Sequence, residues 1–506
     1  MANSTPNPNR LSRAAQWLVR ELGLHTMRHA GRDVYILILT RYLRMYAYGT
    51  VALILAVYLR AQGLSDAQIG FFMTLTLLGD VVVSLLLTLV ADALGRRRTL
   101  MLGALGMAVS GGVFALESRY EVLLAAAVVG VISPSGNEIG PFRAVEESTL
   151  AQLVGEEGRA DVFTWYVAFA VLGTSTGLIV GGQAIDALSA RQGWTELDAY
   201  RAVFWIYTIV GLTKAVCTLF LSQDCEHQKR SKPASGEGET EPLLPSQDNN
   251  TLSTSTGNGF TQDPETKAKK TRWNPFTSIS PKSRAILFKL CSLFFLDSLG
   301  SGMVPFSLIN YYLDRKFQLP KGKLGGIMSA TWFLSTLSNV FSASVSRRLG
   351  LIPAMVCTHL PSSLFLGALP FAPTLGLTIL LLIGRSMMSS MDQAPRSAFL
   401  SMVVLPEERT AVMGIVNIAK TLSQSAGPWV TGVLAGKGRF WVAFVAAGAL
   451  KATYDVLLLT MFGGRVHARK AEHEDAVDPA RSGGDSAEVS VDSSTEHVDG
   501  ERQSVR

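Results

Sequence analysis

Phe204–Ala215 reads FWIYTIVGLTKA, and Phe440–Ala452 reads FWVAFVAAGALKA. Both stretches are apolar, open on Phe-Trp and close on Gly-x-x-Lys-Ala, so one pattern occurs twice at a long interval. Two like bundles of helices joined in tandem produce such a repeat. Each copy is the last of six apolar segments. The first six fall at about 34–60, 68–91, 99–116, 121–150, 161–187 and 201–222, and the second six at about 284–313, 324–346, 351–370, 374–405, 411–434 and 440–462. Each is near or above the roughly 20 residues that a helix needs to cross a bilayer. The runs are continuous and lack the alternating, roughly ten-residue strands of a membrane β-barrel, which excludes that architecture. The expected fold is all-α and integral to a membrane, with twelve transmembrane helices in two pseudo-symmetric six-helix bundles, 34–222 and 284–462.

Composition agrees. The 506 residues are 48% hydrophobic and 17% charged, with a mean hydropathy of +0.26, which is too apolar for an ordinary soluble protein. The net charge of +6 does not call for nucleic acid, because Lys and Arg gather between the apolar runs, where the positive-inside rule puts them. Arg96–Arg98, the basic residues between Lys229 and Lys282, and Arg347 with Arg348 place both termini in the cytosol. One loop, with Arg315, Lys316, Lys321 and Lys323, falls on the opposite side against that rule. Residues 223–283 and 463–506 are polar and without apolar period, as expected of a disordered cytosolic linker and tail. In the cytosolic tail 1–33, Leu11, Leu18 and Leu22 share one helical face and Arg13, Arg20 and Arg28 the other. That pattern suits a helix lying on a membrane surface, or an organelle presequence. No signal peptide is visible. Cys217, Cys225, Cys291 and Cys357 have no CxxC or His-paired spacing, so neither a metal site nor a disulfide framework is expected. A phosphate-binding Gly-x-x-x-x-Gly-Lys-Ser/Thr loop is also lacking, which argues against ATP drive. No cofactor and no enzymatic reaction are expected.

Charges inside the spans carry the functional signal, because an ionisable group at membrane depth is costly and is kept for a cavity or a partner. Ser133–Glu147, SPSGNEIGPFRAVEE, holds Glu138, Arg143, Glu146 and Glu147 after the apolar run Val122–Ile132. Glu138 stands out, since Glu138-Ile-Gly-Pro141 is matched in the second half by Asp392-Gln-Ala-Pro395, an acid three residues before a proline that can bend its helix. Asp80 and Lys420 lie at equal depth in segments two and eleven, and an ion pair between the halves that opens and closes with the transport cycle is expected there. Lys214 and Lys451, at equivalent places in the repeat, are expected to snorkel or to pack against a neighbouring helix. His359 with Pro361 is expected to shape a helix end.

Ala91–Arg98, ADALGRRR, resembles the loop signature of the major facilitator superfamily between helices two and three, Gly-x-Leu-Ala-Asp-x-x-Gly-Arg-Arg. Asp92, Gly95, Arg96 and Arg97 match, whereas Thr88 and Val90 stand where the family has Gly and Leu. The resemblance implies a gate in which this loop braces helix two against the start of helix eleven. Gly173, Gly177, Gly181 and Gly182 are similar to the helix-five glycine motif of the family's antiporters, with Leu178 in place of its proline. His359-Leu-Pro, MDQAPRSAFL and LPEERT together look like an efflux-type subgroup found in bacteria and fungi.

In that family helices one, four, seven and ten line a central cavity. The mapping puts Arg41, Arg44, Glu138, Arg143, Glu146, Asp297, Arg385, Asp392 and Arg396 on its wall. Glu138 and Asp392, with Asp297 third, are the candidate proton-coupling carboxylates, since burial and a nearby Arg pull a carboxyl in opposite directions. The expected activity is secondary transport of a small organic solute by alternating access, through proton-coupled efflux. Uptake of an organic anion and a receptor or scaffold on the same fold are the alternatives. Basic groups slightly outnumber acids in the spans, which favours an anionic or zwitterionic solute. The expected partners are that solute, protons and the lipid bilayer, with the chain monomeric and no nucleic acid. Glu239–Leu244, ETEPLL, resembles an acidic dileucine signal and suggests a vacuolar membrane as the alternative to the plasma membrane.

Overall fold

The computed structural model describes residues 24–130, 132–134, 141–226, 281–404 and 408–477. Glu138, the face Leu11–Leu22, the linker with Glu239–Leu244 and the last part of the tail lie outside them, as does the side chain of Asp92. The first half forms α1 (Leu24–His29), α2 (Arg32–Ala61), α3 (Asp66–Leu94), α4 (Arg96–Leu116), α5 (Tyr120–Val129), α6 (Pro141–Leu153), α7 (Glu156–Ser189) and α8 (Glu196–Leu219). The second half forms α9 (Pro281–Met303), α10 (Phe306–Phe317), α11 (Lys321–Leu349), α12 (Leu351–Ala368), α13 (Leu375–Met391), α14 (Gln393–Val403), α15 (Arg409–Gly436) and α16 (Phe440–Val477). Among the described residues there is no strand, and the fold is the expected all-α arrangement of twelve membrane spans. The last helix runs on to Val477, past the end of its apolar run at Phe462.

Spans four, seven and ten are each divided into two helices, and proline stands at each break. Pro141 opens α6 and Pro305 caps α10. Asp392 separates α13 from α14, with Pro395 in the first turn of α14, where a missing N–H costs no helical hydrogen bond.

Eight spans are long and apolar enough to cross a bilayer by length and composition, among them α2, α4, α8 and α12. Spans four and ten fall short because of their breaks, while eight and eleven are more polar. In α11 the polarity has a structural use. Ser335 donates to the Ser386 carbonyl at 2.9 Å, Ser338 to that of Met387 at 2.8 Å and Ser342 to that of Met391 at 2.5 Å, so hydroxyls tie α11 to α13 where lipid offers no hydrogen bonds. Outward-facing Val109, Ile209, Leu364 and Leu380 are each at least 60% exposed, an apolar belt that suits contact with lipid.

The core is divided unequally along the molecule. At the end where Glu226 and Pro281 flank the linker, the two halves have separate cores: Leu37, Leu100, Val145 and Val162 in the first, Leu290, Met355, Phe399 and Val412 in the second. At the far end one core serves both, and joins Ile54 and Leu178 to Leu308, Leu324 and Ala435.

Candidate functional site

Each half buries a group of charges about its own inner helices. In α2, Arg41 and Arg44 are three residues apart and share a face. Arg44 meets Glu146 of α6 at 2.5 Å, and Lys214 of α8 stands 3.7 Å from the other oxygen of the same carboxylate. Tyr166 of α7 donates to Glu146 at 2.7 Å, while the Arg41 guanidinium lies over the Tyr166 ring, 4.8 Å from its centre. Glu146 is fully buried. Arg143, by contrast, is 46% exposed and pairs with Glu147 one turn along α6.

The second half repeats this arrangement with the signs exchanged. There the acid is on α9 and the arginine on α14: Asp297 lies 2.6 Å from Arg396, which also holds Asp392 at 2.5 Å. Lys451 of α16 lies 2.7 Å from Asp297, in the role that Lys214 has toward Glu146. His359 of α12 completes the group. Its Nδ1 is 2.9 Å from Asp455, and its Nε2 faces Asp297 at 3.5 Å. Phe294 and Tyr454 cover the Arg396 guanidinium at 5.5 and 5.3 Å. Lys420 of α15 rests over the other side of this neighbourhood, 5.4 Å from the Phe294 ring centre.

Of the two roles expected for Lys214 and Lys451, packing against a neighbouring helix holds and snorkelling does not; they are 2% and 7% exposed and point into their bundles, because a buried carboxylate awaits each one. His359 does not shape a helix end but sits within α12, hydrogen-bonded to Asp455. Asp80 and Lys420 are not paired in this structure: Asp80 has Ser84 at 3.5 Å. Arg385 belongs to α13, where its backbone carbonyl accepts from Ser362 at 2.9 Å. Tyr166 and Asp455 escaped notice in the sequence, although Asp455 one helical turn after Lys451 was a readable sign.

The loop at Gly95 takes φ 93°, a conformation glycine adopts freely. Its counterpart Gly350 takes φ 85° between α11 and α12. Glu226 accepts from the backbone N–H groups of Arg96 and Arg97 at 2.8 and 3.3 Å, so the carboxylate caps α4 from within the same half. The Arg96 side chain reaches Gln152 at 2.7 Å. Beside this brace Asp33 accepts from the Ser222 hydroxyl at 2.5 Å, and burial, then the Asp33 charge, pushes the Cys225 thiol up to about 12.

The helix-five glycines do two different jobs. A Cβ on Gly173 or Gly181 would crowd Tyr46 or Thr50, and one on Gly177 would crowd Gly49, so these three let α7 lie directly on α2. Gly182 faces the other half: a Cβ there would lie 3.0 Å from the Cα of Gly322. The hydrogen bonds that join the halves gather at this far end. Asp186 of α7 accepts from the N–H groups of Lys321 and Gly322, both at 2.8 Å, and so caps α11 across the interface. Asp66 of α3 accepts from Tyr311 at 2.6 Å and Arg315 at 2.9 Å. Asn310 donates to the Ala52 carbonyl at 3.0 Å. Three of the four basic residues in the loop after span seven have partners here. Arg315 holds Asp66, Lys316 donates to the Pro370 and Ala372 carbonyls at 2.8 Å, and Lys321 pairs with Asp314.

Residues 37–287 and 290–489 match the family model described as Major Facilitator Superfamily. The chain belongs to this superfamily. It is 33% identical over 449 residues to the uncharacterized membrane protein YJR124C of Saccharomyces cerevisiae, a match covering 86% of this chain and 95% of that protein. Its superfamily fold is shared with the solved nucleoside transporter NupG (TM-score 0.60, 15% identity, 85% of this chain and 99% of that one). The D-xylose-proton symporter has it too (TM-score 0.59, 13% identity, 84% and 96%). A bacterial homologue of ferroportin in an inward-facing state is equally similar (TM-score 0.61, 13% identity, 85% and 98%). A superfamily member of this build is a membrane transporter and not an enzyme.

Proposed function

We propose that the chain is a proton-coupled secondary transporter that exports a small organic solute by alternating access, in the manner of an efflux-type subgroup. The observation that carries the coupling is the place of His359 between two carboxylates. With the Nδ1 proton donated to Asp455, Nε2 of a neutral ring presents a lone pair to Asp297, and two acceptors cannot bond. A proton on Nε2 turns that 3.5 Å contact into a charge-assisted hydrogen bond. Asp297 is already shared by Arg396 and Lys451. Protonation therefore competes for the carboxylate that holds α14 to α9, and couples a proton to the position of a cavity-lining helix. Asp392 moves with Arg396 in this scheme. Lys451, Arg396 and Arg385 are the cations in the neighbourhood of the imidazole. Glu138 takes the corresponding part in the first half.

Separate cores at the linker end and a shared core at the far end support a state open toward the linker, which positive-inside topology assigns to the cytosol. Opening the other way would bring α3 and α15 together at the linker end and let Asp80 reach Lys420. Arg41, Arg44 and Lys214 against the single Glu146 give the first half a positive balance, which favours an anionic or zwitterionic solute, and uptake of such an anion is the second reading. The membrane is the plasma or vacuolar membrane, with both termini cytosolic, and the working unit is a monomer. Solute flux through purified protein in proteoliposomes under an imposed pH gradient tests the proposal.

A further inference from the structure

The start of α4 and the end of α8 enclose a cavity of about 860 Å³ at the linker end, outside the charge clusters of both halves. Its head is polar, with Arg97, Arg98, Gln223 and Glu226, and its wall is apolar, with Met101 and Leu219. The Glu226 carboxylate is spent on capping α4. The two arginines are not. Neither guanidinium has a hydrogen-bond or ion-pair partner among the described residues, and Nε of Arg97 is buried without one. Leu219 is 65% exposed and Phe220 beside it 61%, so the wall continues into the apolar belt.

We infer that this cavity binds the headgroup of an anionic phospholipid from the leaflet on the linker side. An apolar wall open to the bilayer below a pair of free guanidiniums fits a molecule that is acyl chain at one end and phosphate at the other. Arginine takes phosphate oxygens in pairs, and basic pockets between spans at this level hold acidic headgroups. A freely dissolved anion would use the arginines and leave the apolar wall in water. The site needs neither the charge clusters nor the transport reading.

Detergent-purified full-length protein is titrated with phosphatidylglycerol, with phosphatidylcholine and with inorganic phosphate, and binding is read by native mass spectrometry and thermal stability. Phosphatidylglycerol should bind about tenfold more tightly than phosphatidylcholine. Arg97→Ala with Arg98→Ala should abolish that preference, while Arg97→Lys with Arg98→Lys retains most of it. A photoreactive phosphatidylglycerol on the unaltered protein should label peptides holding Met101 and Leu219, which keeps the test independent of how the variants fold. Equal binding of the two lipids, protection by inorganic phosphate alone, or labelling spread evenly over the apolar belt would each overturn the inference.

Discussion

Lys451 Nζ lies 2.7 Å from Asp297 Oδ1 inside the second bundle. It is the counterpart, by sequence repeat, of Lys214 beside Glu146 in the first. Two lysines kept at the same place in a duplicated pattern thus serve one physical purpose, neutralising a buried carboxylate on an inner helix. Breaking such a pair strands a charge at a cost of about 3–5 kcal/mol. Asp297→Asn or Lys451→Met should lower the free energy of unfolding in mixed micelles by that order. The double variant should lose less than the two single losses added together. Strict additivity would mean that the pair is not coupled.

The first bundle has its arginine on α2 and its acid on α6, the reverse of α9 and α14 in the second. Arg44→Met should destabilise the fold by about 3 kcal/mol, since Glu146 is fully buried. The exchange Arg44→Glu with Glu146→Arg should recover only part of this loss, because Lys214 then faces a second cation. Recovery to the unaltered midpoint in thermal unfolding would show that Lys214 takes no part in the cluster.

Gly177 and Gly182 are five residues apart and should fail differently. Gly177→Val pushes α7 off α2 within one bundle, and folded protein recovered after solubilisation should fall steeply. Gly182→Val wedges the far end, where the halves meet. That variant should fold, and Ala52→Cys at the far end should react at least about fivefold faster with a membrane-impermeant thiol reagent in a cysteine-free background. Unchanged labelling would place the moving interface elsewhere.

Asp80 and Lys420 stand apart in the observed state, with Ser84 and the Phe294 ring as their neighbours. If they meet when the linker end closes, Asp80→Lys and Lys420→Asp should each suppress transport and the double exchange should restore it. Failure of the double variant to regain flux would remove the pair from the cycle.

The twelve spans were legible because the bilayer imposes one length on every helix, and the Gly-x-x-Lys-Ala repeat reported the duplication directly. The breaks of spans four and ten were legible too, through Pro141 and Pro395. Partners were harder to read. Nothing in a linear pattern says that Lys214 turns inward, because a lysine in a peripheral span serves equally well as a snorkelling residue until the carboxylate two helices away is located. His359 looked like an end residue because Pro361 follows it, yet α12 continues through that proline. The far-end cap by Asp186 depends on where α11 begins in space, which no local signal encodes.

The most direct test of coupling uses proteoliposomes that contain a pH-sensitive dye and are loaded with candidate organic anions and zwitterions in turn. For a transported solute, the unaltered protein should move protons against the solute, and reversal of the pH gradient should reverse net solute flux. His359→Gln should retain solute exchange at equal pH while proton movement falls to the level of empty vesicles. Solute flux that is indifferent to the pH gradient in the unaltered protein, or proton movement that survives His359→Gln undiminished, would contradict the account.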